Sequence, residues 1–290
     1  MKLAINYSEA ARGRLEEGLV DFDVWKSAPR CAWMKEVYSS QPSHPVYLHF
    51  PLDLGEPDFG QRFDWQQVVH LLEETKTFFV NVHLNARRAH FPELGQGSCS
   101  QREQRKVRDR FLRHLEVVTT RFGAERVIAE NVIYRGEEGP YLRASVEPEL
   151  ICEVVQESGC GFLLDTAHAQ MTCYYLGGGH KAKSDFIRAY LSALPCRRLC
   201  ELHVTGVQKD ETGRWRDSMP LTTGDWDLVK WVLARIEEGT YPRPWCVALE
   251  YGGIGPIYDW RSDPDVIAEQ LPMLHTLVAA LEPHSSDGRI

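Results

Sequence analysis

Short apolar runs recur along the chain, each followed by a longer stretch with helical spacing. KLAINYS (2–8), DFDVWK (21–26), VYLHFPL (46–52), FFVNVHL (78–84), RVIAENV (126–132), GFLLDTAH (161–168), RLCELHVT (198–205) and WCVALEY (245–251) read as strands. Of these, 21–26 alternates polar and apolar residues. Residues 10–18, 65–74, 101–122, 147–158, 184–194, 225–238 and 263–281 read as helices. Gly18, Gly123 and Gly159 stop three of them, and Pro148 sits in the first turn of another. A further helical start at 169–175 ends at Gly177, Gly178 and Gly179. The segment 29–43 reads as a short helix with a Pro-rich connection. Polar stretches at 53–64, 85–100, 134–144 and 208–223 read as loops. Strands alternating with helices imply parallel βαβ units. Eight such units in a chain of this length predict an α/β fold closed as a (β/α)8 TIM barrel. With no internal repeat or linker composition, residues 1–290 are expected to form a single domain with a short flexible tail at about 283–290.

Leu199 to Gly206 breaks the rule that buried strands are apolar. Glu201 and His203 lie two apart, so both point to one face of the strand. A carboxylate and an imidazole buried together are costly unless something pairs with them. The same anomaly recurs at the ends of other strands, in His49, His83, Glu130, Asp165 with His168, and Glu250. Imidazole nitrogen and carboxylate oxygen are ligands for zinc, manganese and iron. The donors exceed what one ion needs, so two or three metal ions are expected. For His49 alone, a hydrogen-bonded core histidine would serve as well. It is the recurrence at equivalent points of successive strands that favours a metal site.

The remaining histidines fit other roles. His70, His114 and His275 fall on helices, and His44, His90, His180 and His284 fall in loops or the tail. His90 is notable because its loop follows His83. The glycine run at 177–179 lacks the Lys-Ser/Thr of a phosphate cradle and reads as a turn. None of the eight cysteines is spaced Cys-x-x-Cys, so they read as free thiols, Cys200 and Cys246 in the core. The net charge of −8 argues against a nucleic-acid partner. With no signal-like opening segment and no apolar run near ~18 residues, a cytoplasmic protein with no membrane span is expected.

Taken together, His49, His83, Glu130-Asn131, Asp165-Thr-Ala-His168, Glu201-Leu-His203, Asp217 and Glu250 resemble the xylose isomerase-like TIM-barrel superfamily over nearly the whole chain. That superfamily includes endonuclease IV, sugar isomerases and epimerases, and the multinuclear non-heme iron-dependent oxidative enzymes. The ligand order resembles endonuclease IV, as does Asp165-x-x-His168. Glu-Leu-His-Val-Thr-Gly at 201–206 and the Glu-Asn pair are more similar to the iron-dependent family. The resemblance implies that His49, His83, Glu130, Asp165, His168, His203, Asp217 and Glu250 ligate metal, with Glu130 bridging. It implies catalytic roles for Glu130 and Glu250, with Asn131, Glu201 and Met219 facing substrate. Asp217-Ser218-Met219 stands where endonuclease IV has Asp-x-His, so a third ion would rest on His168 and Asp217 alone. Two ions are therefore the central expectation.

The iron-dependent relatives oxidise cysteine-containing peptides with a partner protein, which implies iron, a peptide substrate and a partner here. A divalent-metal isomerase or epimerase acting on a small sugar-like molecule is the alternative. Glu130 or Glu250 would then move the proton at a zinc or manganese site. An endonuclease IV-like phosphodiesterase and a metal-free binding scaffold complete the set.

Overall fold

The computed structural model describes residues 1–29, 37, 44–137, 139–255, 258 and 261–281. The short helix expected within 29–43 and the tail at 283–290 lie outside the described residues, apart from Pro29 and Val37. The barrel strands are β1 (Lys2–Asn6), β2 (Val24–Ser27), β3 (Val46–Leu48), β4 (Leu52–Asp53), β5 (Val80–His83), β6 (Val127–Glu130), β7 (Gly161–Asp165), β8 (Leu199–Val204) and β11 (Cys246–Leu249). They pair in the order β3-β2-β1-β11-β8-β7-β6-β5-β4, every pair parallel.

The two end strands of that order, β3 and β4, are consecutive pieces of one segment. The expected strand at 46–52 is broken at His49–Pro51, where Pro51 has no N–H to give to a ladder. Its first piece pairs with β2 and its second with β5. The segment thereby joins the two ends of the sheet, and eight strand positions make the ring. The (β/α)8 reading is correct.

Helices cover the outside: α1 (Glu9–Glu16), α2 (Phe59–Arg62), α3 (Trp65–Thr75), α4 (Gln101–Phe122), α5 (Pro148–Ser158), α6 (Thr166–Leu176), α7 (Ser184–Ala193), α8 (Thr223–Glu237) and α9 (Pro264–Ala279). Their starts carry the chemistry that the orphan N–H groups of a first turn require. Ser8 accepts from the Ala11 N–H, Asp64 from Gln66 and Gln67, and Thr222 exchanges bonds with Asp225. Helix on strand buries a large apolar core, with Leu3, Ile5, Trp25, Val82, Phe162, Leu202 and Leu249 among its members.

Three expectations need correction. The strand at 21–26 alternates in sequence, yet Val24, Trp25, Lys26 and Ser27 are all buried, because a parallel barrel strand is covered on both faces. The strand expected at 161–168 stops at Asp165, whose side chain caps α6, so His168 stands in the first helical turn. The loop expected at 208–223 is mostly an antiparallel hairpin of β9 (Gly206–Lys209) and β10 (Trp215–Met219). A Cβ at Gly206 would lie 2.0 Å from the Pro220 carbonyl oxygen, so only glycine lets the hairpin leave β8 this tightly. The glycine run at 177–179 ends α6 as a turn, and the Gly179 carbonyl accepts from the Trp215 indole.

Candidate metal centre

The barrel register decides which side chains meet. His83 is the cross-strand partner of Glu130, and Asp165 of His203. His83, Glu130 and Asp165 end their strands and His203 is one residue short of the end of β8, so their side chains gather at the C-terminal mouth of the barrel. His49 and Glu250 directly follow β3 and β11 and join them. His168 comes from the first turn of α6, and Asp217 reaches in from β10.

Among the described residues four groups of donor atoms lie close enough to share an ion: His49, His83 and Glu130; Glu130, Asp165 and His168; Asp165, His203 and Glu250; and His49, Glu201 and His203. In the first, His49 Nε2 and His83 Nε2 are 3.1 Å apart, and Glu130 Oε2 lies 3.2 and 3.1 Å from them. Ligands about 2.0–2.2 Å from one ion stand about 3.0–3.5 Å from one another. Two imidazole nitrogens at 3.1 Å with a carboxylate oxygen against both match that edge length. Glu130 Oε1 lies 3.2 Å from His168 Nδ1, so the two oxygens of one carboxylate face two donor groups. In the third group His203 Nδ1 is 3.1 Å from Glu250 Oε1 and 3.9 Å from Asp165 Oδ2.

The fit of an ion rests on atoms that the protein leaves unsatisfied. Glu130 Oε2, Asp165 Oδ2 and His203 Nδ1 are buried and make no aligned hydrogen bond. Buried polar atoms without partners are rare, and all three belong to expected ligands, from three different strands. The chain's other bonds hold the donors in place. Asp165 gives Oδ1 to the His168 N–H at 2.7 Å and keeps Oδ2 for the site. His168 Nδ1 donates to the Asn131 carbonyl at 2.9 Å, which turns Nε2 toward Asp165 and Asp217, each 3.7 Å away.

Glu201 is wholly buried and fully engaged. Tyr47 OH, Asn81 Nδ2 and Trp245 Nε1 donate to it at 2.9, 3.3 and 3.2 Å, and His203 Nε2 at 2.7 Å. The bond from Nε2 fixes the His203 tautomer and frees Nδ1 to face Glu250. Carboxylates behind metal-bound histidines do this elsewhere. Glu201→Gln is expected to weaken metal binding about 10–100-fold with the fold retained; competition against a chelator reads the change. Asn131 uses both amide atoms on the Asp165 backbone, at 2.9 and 3.0 Å, and so cross-links β6 to β7. Met219 lies in β10, where its carbonyl accepts from Thr205 Oγ1. His90 lies 3.7 Å from Glu56, outside the four donor groups.

Two residues escaped sequence reasoning. Asp53, at the end of β4, faces His83 Nδ1 at 3.4 Å. Lys26, in β2, donates to Glu250 Oε1. Asp53 ends its strand in a polar residue, the signal that marked the histidines, but fell in a stretch read as a loop by composition; Lys26 passed as the polar half of an alternating strand.

Electrostatics without metal follow from these pairings. Burial opposes charging His83 and His203, but Glu130 and Asp53 hold the first up at about 9, and Glu250 and Glu201 the second at about 10. Burial, with help from the Lys26 cation, pushes His49 down to about 4. Burial pushes Asp165 up to about 7. Glu130 and Glu250 are buried too, but the histidines beside them keep both well below the usual carboxylate range.

Two clefts open on the cluster. One of about 220 Å³ is lined by Lys26, His49, Glu130, Glu250, Gly253 and Tyr258, among others. A Cβ at Gly253 would meet the Tyr258 ring at 2.6 Å, so glycine lets the ring close on the cleft. The other, about 390 Å³, is lined by Asp53, Arg87, Arg135 and Tyr141, among others. They share His83, His168 and Asp217.

The family model described as "RiPP precursor modification enzyme MbnB/TglH/ChrH" matches residues 28–244. UPF0276 proteins of Bordetella pertussis and Bordetella parapertussis are each 33% identical over 94 residues, 30% of this chain. The match spans about 30% of the length of these curated relatives. Among solved structures, a D-psicose 3-epimerase from Clostridium cellulolyticum H10 aligns with a TM-score of 0.56 and 14% identity, over 98% of this chain and 100% of that one. A 3-keto-D-glucoside 4-epimerase from E. coli aligns with the same score and identity, over 95% and 99%. At such identities these structures speak for the xylose isomerase-like fold alone.

Proposed function

Because the chain belongs to the MbnB/TglH/ChrH family of RiPP precursor modification enzymes, we propose that it is a metal-dependent enzyme that oxidatively modifies a ribosomally made, cysteine-containing peptide. The observation that carries the metal reading is the set of unsatisfied, buried donor atoms Glu130 Oε2, Asp165 Oδ2 and His203 Nδ1, drawn from three strands, beside the paired Nε2 atoms of His49 and His83. In this reading His49, His83 and Glu130 hold one ion, and Asp165, His203 and Glu250 hold a second with Glu130 between them. His168 and Asp217 supply only two donors to a third position, which stays empty at two ions per chain. The ions, iron by the family resemblance, would supply Lewis acidity and one-electron redox capacity toward dioxygen.

The chain's own residues have separable tasks. Glu201 and Asp53 orient His203 and His83. Asn131 ties the Asp165 backbone to β6, so that neither carboxylate drifts. Glu250 lines the smaller cleft and would accept a proton from the substrate there. Two clefts meeting at His83, His168 and Asp217 suit an extended chain laid across the centre better than a compact sugar. Arg87 and Arg135 line the outer part of that track, and Tyr258 limits water at its inner end. A partner protein would hold the rest of the peptide, and residues 1–290 would act as one domain.

The test offers the iron-loaded protein a pool of synthetic cysteine-containing peptides under air. A mass change in a peptide, accompanied by oxygen uptake, is expected. Epimerisation of a ketose without oxygen, and no uptake with any peptide, would replace this reading with the isomerase one.

A further inference from the structure

Lys26 is 6% exposed, sits one residue from the end of β2 and points into the centre rather than to solvent. Its ammonium donates to Glu250 Oε1, the same oxygen that lies 3.1 Å from His203 Nδ1. That oxygen belongs to the Asp165–His203–Glu250 group, one of the four donor groups able to take an ion among the described residues. Lys26 also lines the smaller cleft beside His49 and Glu130. No other lysine lines that cleft among the described residues. Lys26 and Glu250 both lie outside the matched segment 28–244, so nothing about this pair comes from the family match.

A cation already on Glu250 changes what that group can hold. A buried ammonium is tolerated only with a counter-charge, and here Glu250 supplies it. An arriving divalent ion would compete for the same oxygen and meet like-charge repulsion at short range. Glu130, shared by two of the other groups, has only histidine nitrogens within 4.0 Å of its oxygens among the ion pairs of the described residues.

We propose that Lys26 is a built-in cation of the centre, occupying the Asp165–His203–Glu250 position so that it binds its ion weakly and only when the ammonium swings away. The proposal rests on the metal reading above. It makes Lys26 a selectivity residue that sets how many ions stay bound.

The test titrates Mn(II) into metal-stripped wild type, Lys26→Met and Lys26→Arg, and counts bound ions by electron paramagnetic resonance. In wild type the last ion is expected to bind at least about tenfold more weakly than the others. In Lys26→Met it should tighten by at least that factor. Lys26→Arg keeps the charge and should keep the wild-type pattern, which separates charge from packing. Equal stoichiometry and affinities in wild type and Lys26→Met would overturn the inference and leave the metal centre standing. Binding of no ion by any of the three would overturn the metal reading and this inference with it.

Discussion

Glu130→Gln is expected to strip metal from the centre and abolish peptide-dependent oxygen uptake. Glu130 reaches His49, His83 and His168 together, at 3.1–3.2 Å. An amide of the same shape keeps the packing but removes the charge and makes half of the former ligand a donor. The loss should exceed the about 10–100-fold that follows from removing an outer partner of a ligand, because the ligand itself is lost. The metal-free variant should also be less stable. Its carboxylate neutralises buried histidines, and leaving a buried charge without its partner costs roughly 3–5 kcal/mol. Urea unfolding without metal reads that loss, and elemental analysis reads the metal. A variant with full metal content would remove Glu130 from the site.

Metal stabilisation is expected to rise steeply with pH. His83 and His203 sit at about 9 and 10 in the metal-free protein, above the ordinary histidine value near 6.5. Their protonated, paired forms therefore stabilise the metal-free fold fully below about pH 6.5. That contribution fades as pH rises through about 9 and then about 10. An ion needs the neutral imidazoles, so binding must expel both protons at neutral pH. Each expelled proton changes affinity about tenfold per pH unit, so two give up to about 100-fold per unit between roughly pH 7 and 9. Asp165, at about 7, adds a proton to the release near neutrality and below. His49, at about 4, adds none there. Thermal unfolding with and without Mn(II) at pH 6, 7.5 and 9 checks this. The increment from metal should grow across the series; a constant or shrinking increment would contradict the assignment of His83 and His203 as ligands.

The barrel was legible in the chain because each buried strand is a short apolar run and each run ends in a turn signal. The donor set was legible for a related reason. A His or Glu ending an apolar run has no reason to be buried unless something pairs with it, and six strand ends carry one. What the pattern could not convey was set by contacts between distant segments. The break at His49–Pro51 lets one segment join both ends of the sheet, which depends on β2 and β5 rather than on residues 46–53. Asp165 looks like a strand residue, and only the α6 N-terminus that it caps shows why the strand ends there. Lys26 looked like the polar half of an alternating strand. Its burial is set by Glu250, 224 residues away. Asn131 looked like a site residue beside Glu130, and its amide proves committed to the Asp165 backbone.

The central claim is that strand-end histidines and carboxylates hold a multinuclear metal centre. Elemental analysis of protein purified without oxygen tests it most directly. The account predicts two ions per chain, iron foremost, and their loss in Glu130→Gln. Zinc or manganese in iron's place would keep the centre and redirect the chemistry toward isomerisation. Folded protein carrying no metal, and taking up none when iron, zinc or manganese is supplied, would contradict the account.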